Sequence, residues 1–495
     1  MTKLKIDRLG IIIFIAGSVV MVLELIGSRI LAPYLGTSIY VWASLIGIIL
    51  GALTLGYYLG GRFSNTNPKL SFLAQVLFLA GLSILLITVI KEPVIVYCLK
   101  FGIKLGSVLA TLILFALPSL ILGIVSPYAI RLKVQNVEES GGVAGNLYAL
   151  STIGSIFGTF LAGFYLIPTF GSTQILFGLS FVLLITSLLG GKKIIKIAFL
   201  GLVIALWLLN LVKPTPFVYE ADSTYNHITV KDQIYAKNQR PVRSLYLATE
   251  SHSIIYRDSP ELFSVYQYLY QLDNLFKPEI KNALTLGGGA YLAPMDFLKR
   301  KPNAKMTVVE IDPQVTEVAK KFFNLKPDPR LTIFHEDGRI FLNNNQAKYD
   351  VVYGDAYASF YSIPFQLTTK EAMKRIYDSL ADDGILVLNV ISALAGEKSI
   401  FFQAEYKTIK EYFPQVYIFP AHFYDGSNTD KFQNIILIAT KNNQRLSLAE
   451  MQQMANEEQK PLLNHLWQKE PANSSKIKVL TDEFAPVDFY ISKLL

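Results

Sequence analysis

The residues of this 495-residue chain whose types could work on one ligand sit in four short stretches between positions 287 and 355. The apolar run Ala283-Leu284-Thr285-Leu286 ends in Gly287-Gly288-Gly289, a bend where backbone approaches a ligand with no Cβ in the way. Twenty-three residues after Gly287, Glu310 closes the run Val308-Val309 ahead of Ile311-Asp312. An acid at that place can accept both hydroxyls of a ribose. Glu336-Asp337-Gly338 then supplies a carboxylate, Asp337, able to accept from an adenine amino group. Tyr349-Asp350-Val351-Val352-Tyr353-Gly354-Asp355 delivers Asp355 to the end of a fourth apolar run. Any one of these acids alone reads first as a helix cap or a solvated turn residue, but four stretches at consecutive strand ends indicate a nucleoside site. There is no G-x-G-x-x-G, so a phosphate-bearing dinucleotide fits less well than a nucleoside such as S-adenosylmethionine.

Positioning them requires a sheet whose strand ends converge. Candidate strands are 282–286, 306–310, 331–335, 350–354, 384–390, 415–420 and 434–440, with helical patterns between most of the early ones. This alternation predicts a mainly parallel, doubly wound α/β sheet, Rossmann-like, over 261–495. The last two strands lie close enough in sequence to pair antiparallel at the sheet edge. Before it, 214–260 alternates in the manner of a few antiparallel strands (Tyr225-x-x-Ile228-x-Val230, then Ser244-Leu245-Tyr246-Leu247), ahead of a helical stretch near 260–275.

The remainder is built for another solvent. The chain is 52% hydrophobic and 17% charged, which excludes disorder or a collagen-like fibre and fits poorly with one soluble globule. Residues 1–213 carry 15 Lys and Arg against 5 Asp and Glu, while 214–495 carry 31 against 33. The excess positive charge therefore belongs to the apolar half, and with no basic face elsewhere nucleic acid is not an expected partner. A hydrocarbon layer of about 30 Å takes about 20 helical residues. Runs of that order at 10–31, 41–61, 70–90, 105–130, 143–168, 173–190 and 194–212 predict a bundle of about seven transmembrane helices over 1–213, with the lipid bilayer as partner. The segment 92–104, interrupted by Lys100 and Lys104, reads as an interfacial helix. The first run is too long, and too closely followed by others, for a cleaved signal peptide. Gly47-xxx-Gly51, Gly56-xxx-Gly60 and Gly154-xxx-Gly158 predict close helix packing. Glu24 and Arg29 must face the bundle or a wet cavity.

A multi-pass protein of the cell (inner) membrane is expected, with its orientation in dispute. Lys3, Lys5, Arg8, Arg62, Lys69, Arg131, Lys133, Lys192, Lys193 and Lys196 fall on one side of a seven-span arrangement. The positive-inside rule then puts the second half outside, whereas a nucleoside of this kind is supplied in the cytoplasm.

Taken together, Val309-Glu310-Ile311-Asp312, Glu336-Asp337-Gly338 and Tyr349-Asp350-Val351-Val352-Tyr353-Gly354-Asp355 after the three glycines resemble the spermidine/spermine synthases, the polyamine aminopropyltransferases. Pro364-x-x-Leu367-Thr368-Thr369-x-Glu371 and Leu480-Thr481-Asp482-Glu483-x-Ala485-Pro486-Val487 are similar to a membrane-fused branch of that family. So are Leu23-Glu24-Leu25-x-Gly27-x-Arg29-x-x-Ala32-Pro33 and Gly56-Tyr57-Tyr58-Leu59-Gly60-Gly61-Arg62 in the first half. The resemblance implies a class I methyltransferase-like or spermidine synthase-like fold. It implies that Glu310 binds ribose, Asp337 adenine, and that Asp355 is the acid next to the reacting centre. The departures are informative. The family's glycine loop continues Asp-Gly, and that aspartate holds the amine of decarboxylated S-adenosylmethionine; here the loop continues Ala290-Tyr291. The family's second aspartate, followed by proline, binds the polyamine; the run Asp355-Ala356-Tyr357-Ala358-Ser359 has alanine instead. An Asp-Gly in the strand segment is replaced at Thr249-Glu250 or a neighbouring pair.

A diamine is a doubly positive guest that needs desolvated carboxylates in place of its water. Losing two of them favours intact S-adenosylmethionine, whose own carboxylate would then meet less repulsion. The favoured expectation is a lyase or alkyl-transferring enzyme that releases methylthioadenosine, with the substrate carboxylate closing a lactone. A polyamine aminopropyltransferase using decarboxylated S-adenosylmethionine is the alternative, and a non-catalytic nucleoside sensor or transporter is a third. Further candidates for the pocket are His252, beside Ser253, and Tyr291 and Tyr357, which with Tyr353 and Tyr361 could stack on adenine or surround a sulfonium. Asp482 reads as a turn or cap residue that could reach the site. Gly287, Gly288, Gly289 and Gly338 complete the expected binding set. Lone Cys98 and the scattered histidines argue against a disulfide and a metal centre. Related soluble enzymes are often dimers, so a homodimer is a possibility by analogy.

Overall fold

A computed structural model describes residues 7–65, 68–190, 193–212, 216–356, 363–422, 429–471 and 477–492. The chain forms two compact units, Met1–Pro216 with Ala221–Thr224, and Phe217–Glu220 with Tyr225–Leu495.

In the first unit the apolar runs become helices α1 (Arg8–Leu35), α2 (Ile39–Phe63), α3 (Leu70–Cys98), α4 (Gly102–Gly123), α5 (Val125–Lys133) and α6 (Ser140–Leu161), followed by Ser172–Ser187 and Lys193–Val212. Asp7 starts α1 by accepting from the Gly10 amide at 2.9 Å. Among the described residues five stretches are long and apolar enough to cross a membrane: Arg8–Leu35, Ile39–Phe63, Leu70–Lys133, Ser140–Thr169 and Ser172–Gly190. The sequence predicted seven. Two of the expected spans fall in Leu70–Lys133, divided only where Gly102, at φ 73°, lets the chain turn back so that α4 follows α3. The last expected span falls on Lys193–Val212, of which Phe199–Asn210 is the apolar part. The interfacial helix expected at 92–104 is not separate, because α3 continues through Pro93 to Cys98.

The small-residue pairs do pack two of the helix contacts. A Cβ on Gly56 would lie 2.2 Å from the Leu120 carbonyl oxygen, and one on Gly60 2.6 Å from that of Ile124, so α2 runs against α4 and α5 backbone to backbone. Gly154 and Gly158 do the same for α6 against Phe14 and Ser18 of α1, at 2.2 and 2.4 Å. Gly47 and Gly51 meet nothing within 4 Å, so that pair is not a contact within the unit. Arg29 donates to the Thr224 carbonyl at 2.9 Å and to that of Ser223, exchanging water for backbone acceptors.

A four-stranded sheet follows in sequential order, β1 (Tyr219–Asp222), whose Ala221 and Asp222 count with the first unit, then β2 (His227–Tyr235), β3 (Arg240–Leu247) and β4 (Glu250–Tyr256), with β3 antiparallel to both β2 and β4. Its inward residues Ile228, Val230, Leu245 and Leu247 pack with Ala290, Leu292, Val315, Val318 and Phe323. That contact places β2 and β3 against the start of helix Leu292–Arg300. Then come β5 (Asn282–Leu286), β6 (Lys305–Val309), β7 (Leu331–Phe334), β8 (Tyr349–Gly354), β9 (Leu380–Ser392), β10 (Gln415–Pro420) and β11 (Gln433–Thr440), in the order β10-β11-β9-β8-β5-β6-β7. From β9 to β7 neighbours are parallel, while β11 is antiparallel to both β9 and β10. The expected closing pair therefore exists with β11 inside. Its run Ile435–Ala439 is apolar on both faces and wholly buried, which an edge strand would not be. Chain order reverses between β5 and β8, and that makes the crevice at their C-terminal ends the topological switch point where open α/β sheets bind ligands.

Candidate functional site

β5 pairs with β6 on one side and β8 on the other, Leu286 lying opposite both Val309 and Gly354. The glycine loop after Leu286 is therefore flanked by Glu310 and Asp355. Gly287 has φ 95°, and a Cβ there would sit 2.3 Å from the Asp355 carbonyl oxygen, so both conformation and space require glycine. The Asp355 amide donates to the Leu286 carbonyl at 2.9 Å, closing the junction.

Glu310 is nearly buried, 8% exposed. Its Oε2 accepts from the amides of Gly288 at 2.8 Å and Gly289 at 3.4 Å, and its Oε1 from that of Asp312 at 2.9 Å. Burial pushes its pKa up, and these three N–H groups oppose the shift. A carboxylate offers about four lone-pair positions. The acid expected to take both ribose hydroxyls thus has room for one, and a second must displace the long bond from Gly289.

Asp355 is held from behind. Asn389 of β9 donates to its Oδ1 at 2.8 Å, and the buried Tyr270 phenol lies close enough to favour its ionised form. Burial raises its pKa, and the Asn389 amide and the nearby Tyr270 phenol work against that. Tyr266 is close enough for the Asp355 charge to raise its phenol further, on top of burial.

The other expected residues divide. Asp337 caps helix Gly338–Asn344, its Oδ1 accepting from the amides of Arg339 at 2.8 Å and Ile340 at 3.1 Å, while Oδ2 has Gln366 Nε2 at 3.4 Å. Gly338 opens that helix, with the Leu367 side chain 3.5 Å from where its Cβ would be. His252 lies half-buried on β4. Its neighbour Ser253 meets the loop, its Oγ accepting from the Ala290 amide at 3.2 Å. Tyr291 is a correction. It adopts the left-handed conformation, is fully buried under Gly288, and its hydroxyl shares a 2.6 Å hydrogen bond with Thr316 Oγ1, so its ring supports the loop and does not face a ligand. Tyr353 likewise points into the core, where it donates to the buried carboxylate of Asp273. Tyr357 and Tyr361, with Ala358 and Ser359, lie outside the described residues. Asp482 accepts from Arg339 at 2.7 Å and from Thr369 at 2.6 Å, tying the C-terminal stretch to the start of helix Lys370–Ser379. Asp350, part of the same signature as Asp355, accepts from the amides of Lys281 and Asn282 at 2.7 and 2.9 Å and anchors the start of β5. Among the described residues no three His, Cys, Asp or Glu are grouped to hold a metal.

Sequence reasoning passed over Tyr270, Tyr266 and Asn389, and named Ser253 only as the neighbour of His252. Only Asn389 carried a signal, as a polar residue inside Ile385-Leu386-Val387-Leu388-Asn389-Val390-Ile391.

Several known proteins are similar to parts of this chain. Residues 262–454 match the family model of the spermine/spermidine synthase domain. A probable polyamine aminopropyl transferase of Bifidobacterium longum is 28% identical over 186 residues, 38% of this chain and 40% of that protein. A polyamine aminopropyltransferase of Clostridium perfringens is 30% identical over 186 residues, 36% of this chain and 61% of the relative. The chain thus spans about two fifths to three fifths of the length of these relatives. A solved probable spermidine synthase of Corynebacterium glutamicum superposes on 54% of this chain and 97% of its own at 20% identity and a TM-score of 0.45. The stretch 262–454, which holds β5–β11, is thus similar to the spermine/spermidine synthase domain.

Proposed function

We propose that the second unit binds an adenosyl sulfonium at the β5/β8 switch point and transfers its three-carbon arm to an amine, as a polyamine aminopropyltransferase-like enzyme. The observation that supports this most is the glycine loop joining Glu310 to Asp355 inside a domain whose relatives carry that name. Glu310 would take a ribose hydroxyl, and the loop amides would pass along the nucleoside. Asp337 and Gly338 would bound the adenine, with Asp337 keeping Oδ2 for the amino group while Oδ1 caps its helix. In the transfer the amine lone pair forms a bond to the arm carbon, the C–S bond breaks towards sulfur, and neutral methylthioadenosine leaves. The amine proton goes to Asp355. Positioning an in-line attack on so good a leaving group supplies most of the acceleration.

A second reading keeps a specific support. Ala290 occupies the place where the family's loop carries an aspartate, and its amide faces the neutral Ser253 hydroxyl. A donor that retains its carboxylate would meet no repulsion there, and intact S-adenosylmethionine could then close on itself to a lactone. The five apolar stretches of the first unit fit a membrane-embedded anchor for either activity. Calorimetry with methylthioadenosine on the full chain in detergent tests the shared part. Binding that weakens in Glu310→Ala supports the site, and no binding to the wild type removes it.

A further inference from the structure

The strands that close the sheet bring a line of amides up behind Asp355. Asn389 is 2% exposed in β9. Its Nδ2 donates to Asp355 Oδ1 at 2.8 Å, and its Oδ1 accepts from Asn434 Nδ2 of β11 at 3.1 Å. A primary amide has an acceptor at one end and donors at the other. Once Asn434 donates to the oxygen, the NH2 end of Asn389 has to face Asp355. Tyr270, 3% exposed in the turn Tyr270–Leu272, brings its phenol near enough to Asp355 to favour the carboxylate. Its ring is held in turn by Tyr353 and Tyr266, at centroid distances of 5.6 and 5.7 Å. Among the described residues the titratable groups that face Asp355 are the phenols of Tyr266 and Tyr270.

We propose that Asn434, Asn389 and Tyr270 are positioning residues: the two-amide relay and the phenol hold Asp355 in one orientation and in its ionised form, leaving its remaining lone pairs to the ligand. This rests on the reading of Asp355 as the acid at the reacting centre. The relay explains why Asn389 and Asn434 sit next to the apolar runs Ile385–Leu388 and Ile435–Ala439. An unpaired carboxylate at that depth would take up a proton and could then accept none from a nucleophile. Asn434 acts only through Asn389, by deciding which end of that amide is presented.

The test is an infrared titration of the full chain in detergent, following the carboxyl band that disappears in Asp355→Asn. Because it needs no turnover, it separates this inference from the proposed reaction. Each lost donor should raise the titration midpoint by about one pH unit, so Tyr270→Phe and Asn389→Leu both move it up. Asn434→Leu should move it in the same direction by less, since Asn389 is then free to turn. Asn434→Ser, which keeps a donor, should leave it near the wild-type value and serves as the control for folding. Midpoints unchanged in Tyr270→Phe and Asn389→Leu would overturn the proposal, as would equal midpoints for Asn434→Leu and Asn434→Ser. A wild type that turns over no sulfonium while the midpoints shift as described keeps the relay and rejects the reaction.

Discussion

Gly287 and Asp355 meet backbone to backbone across the switch point, with 2.3 Å between an added Cβ on the glycine and the aspartate's carbonyl oxygen. The same residue has φ 95°, so any side chain brings both strain and collision. Gly287→Ala should cost ~1–3 kcal/mol of stability through backbone strain alone and displace Asp355. Thermal melts and methylthioadenosine calorimetry check this. Binding lowered at least tenfold is expected, and wild-type affinity would remove the junction from the site.

Glu310 uses both oxygens as acceptors from backbone amides. Glu310→Gln keeps the shape but turns one oxygen into an NH2 facing an N–H, which leaves a buried donor unpaired at a cost of about 1–3 kcal/mol. The loop should loosen and nucleoside affinity fall roughly tenfold or more, as read by calorimetry, with a lower melting temperature.

How much of this was legible in the sequence follows from how each signal is made. Glu310 and Asp355 end apolar runs after a glycine bend, a local pattern, and the sheet places both beside that bend. The strand list was recovered nearly whole because apolar runs of that length have few other fates. The position of β11 between β9 and β10 was not, since pairing order depends on burial across the sheet. Asp337 showed the limit of residue type: an acid before a helix is equally a cap, and its Oδ1 does cap. Tyr291 was misread because an aromatic next to a glycine loop suggests stacking, whereas its left-handed backbone turns the ring inward under Gly288. Tyr270 reaches Asp355 only through tertiary packing.

Glu405 sets a pH dependence. It is 2% exposed in helix Ile400–Lys410, and its Oε2 has no hydrogen-bond partner among the described residues. Burial raises its folded-state pKa well above 4.5, so the fold keeps a proton that the unfolded chain releases. Stability therefore falls as pH rises above about 4.5, by at most about 1.4 kcal/mol per pH unit, until the folded-state pKa is passed. Glu405→Gln should narrow the difference in melting temperature between about pH 5.5 and about pH 8. An undiminished difference would place the dependence elsewhere.

In the first unit, Gly56→Leu and Gly154→Leu should each destabilise the bundle by ~1–3 kcal/mol, because the added side chain meets backbone that cannot move aside. Gly47→Leu should be close to neutral. Thermal stability in detergent compares the three, and an equal loss at Gly47 would contradict the helix contacts described.

The most direct measurement is methylthioadenosine release by the full chain, supplied with decarboxylated S-adenosylmethionine with and without a diamine, and separately with intact S-adenosylmethionine. Release that requires the decarboxylated donor and the diamine, and falls at least a hundredfold in Asp355→Asn while nucleoside binding survives, is the result expected of an aminopropyltransferase-like site. Release from intact S-adenosylmethionine with no acceptor would move the assignment to the lactone-forming reading. No release from either donor, or an Asp355→Asn variant as fast as the wild type, would contradict the account.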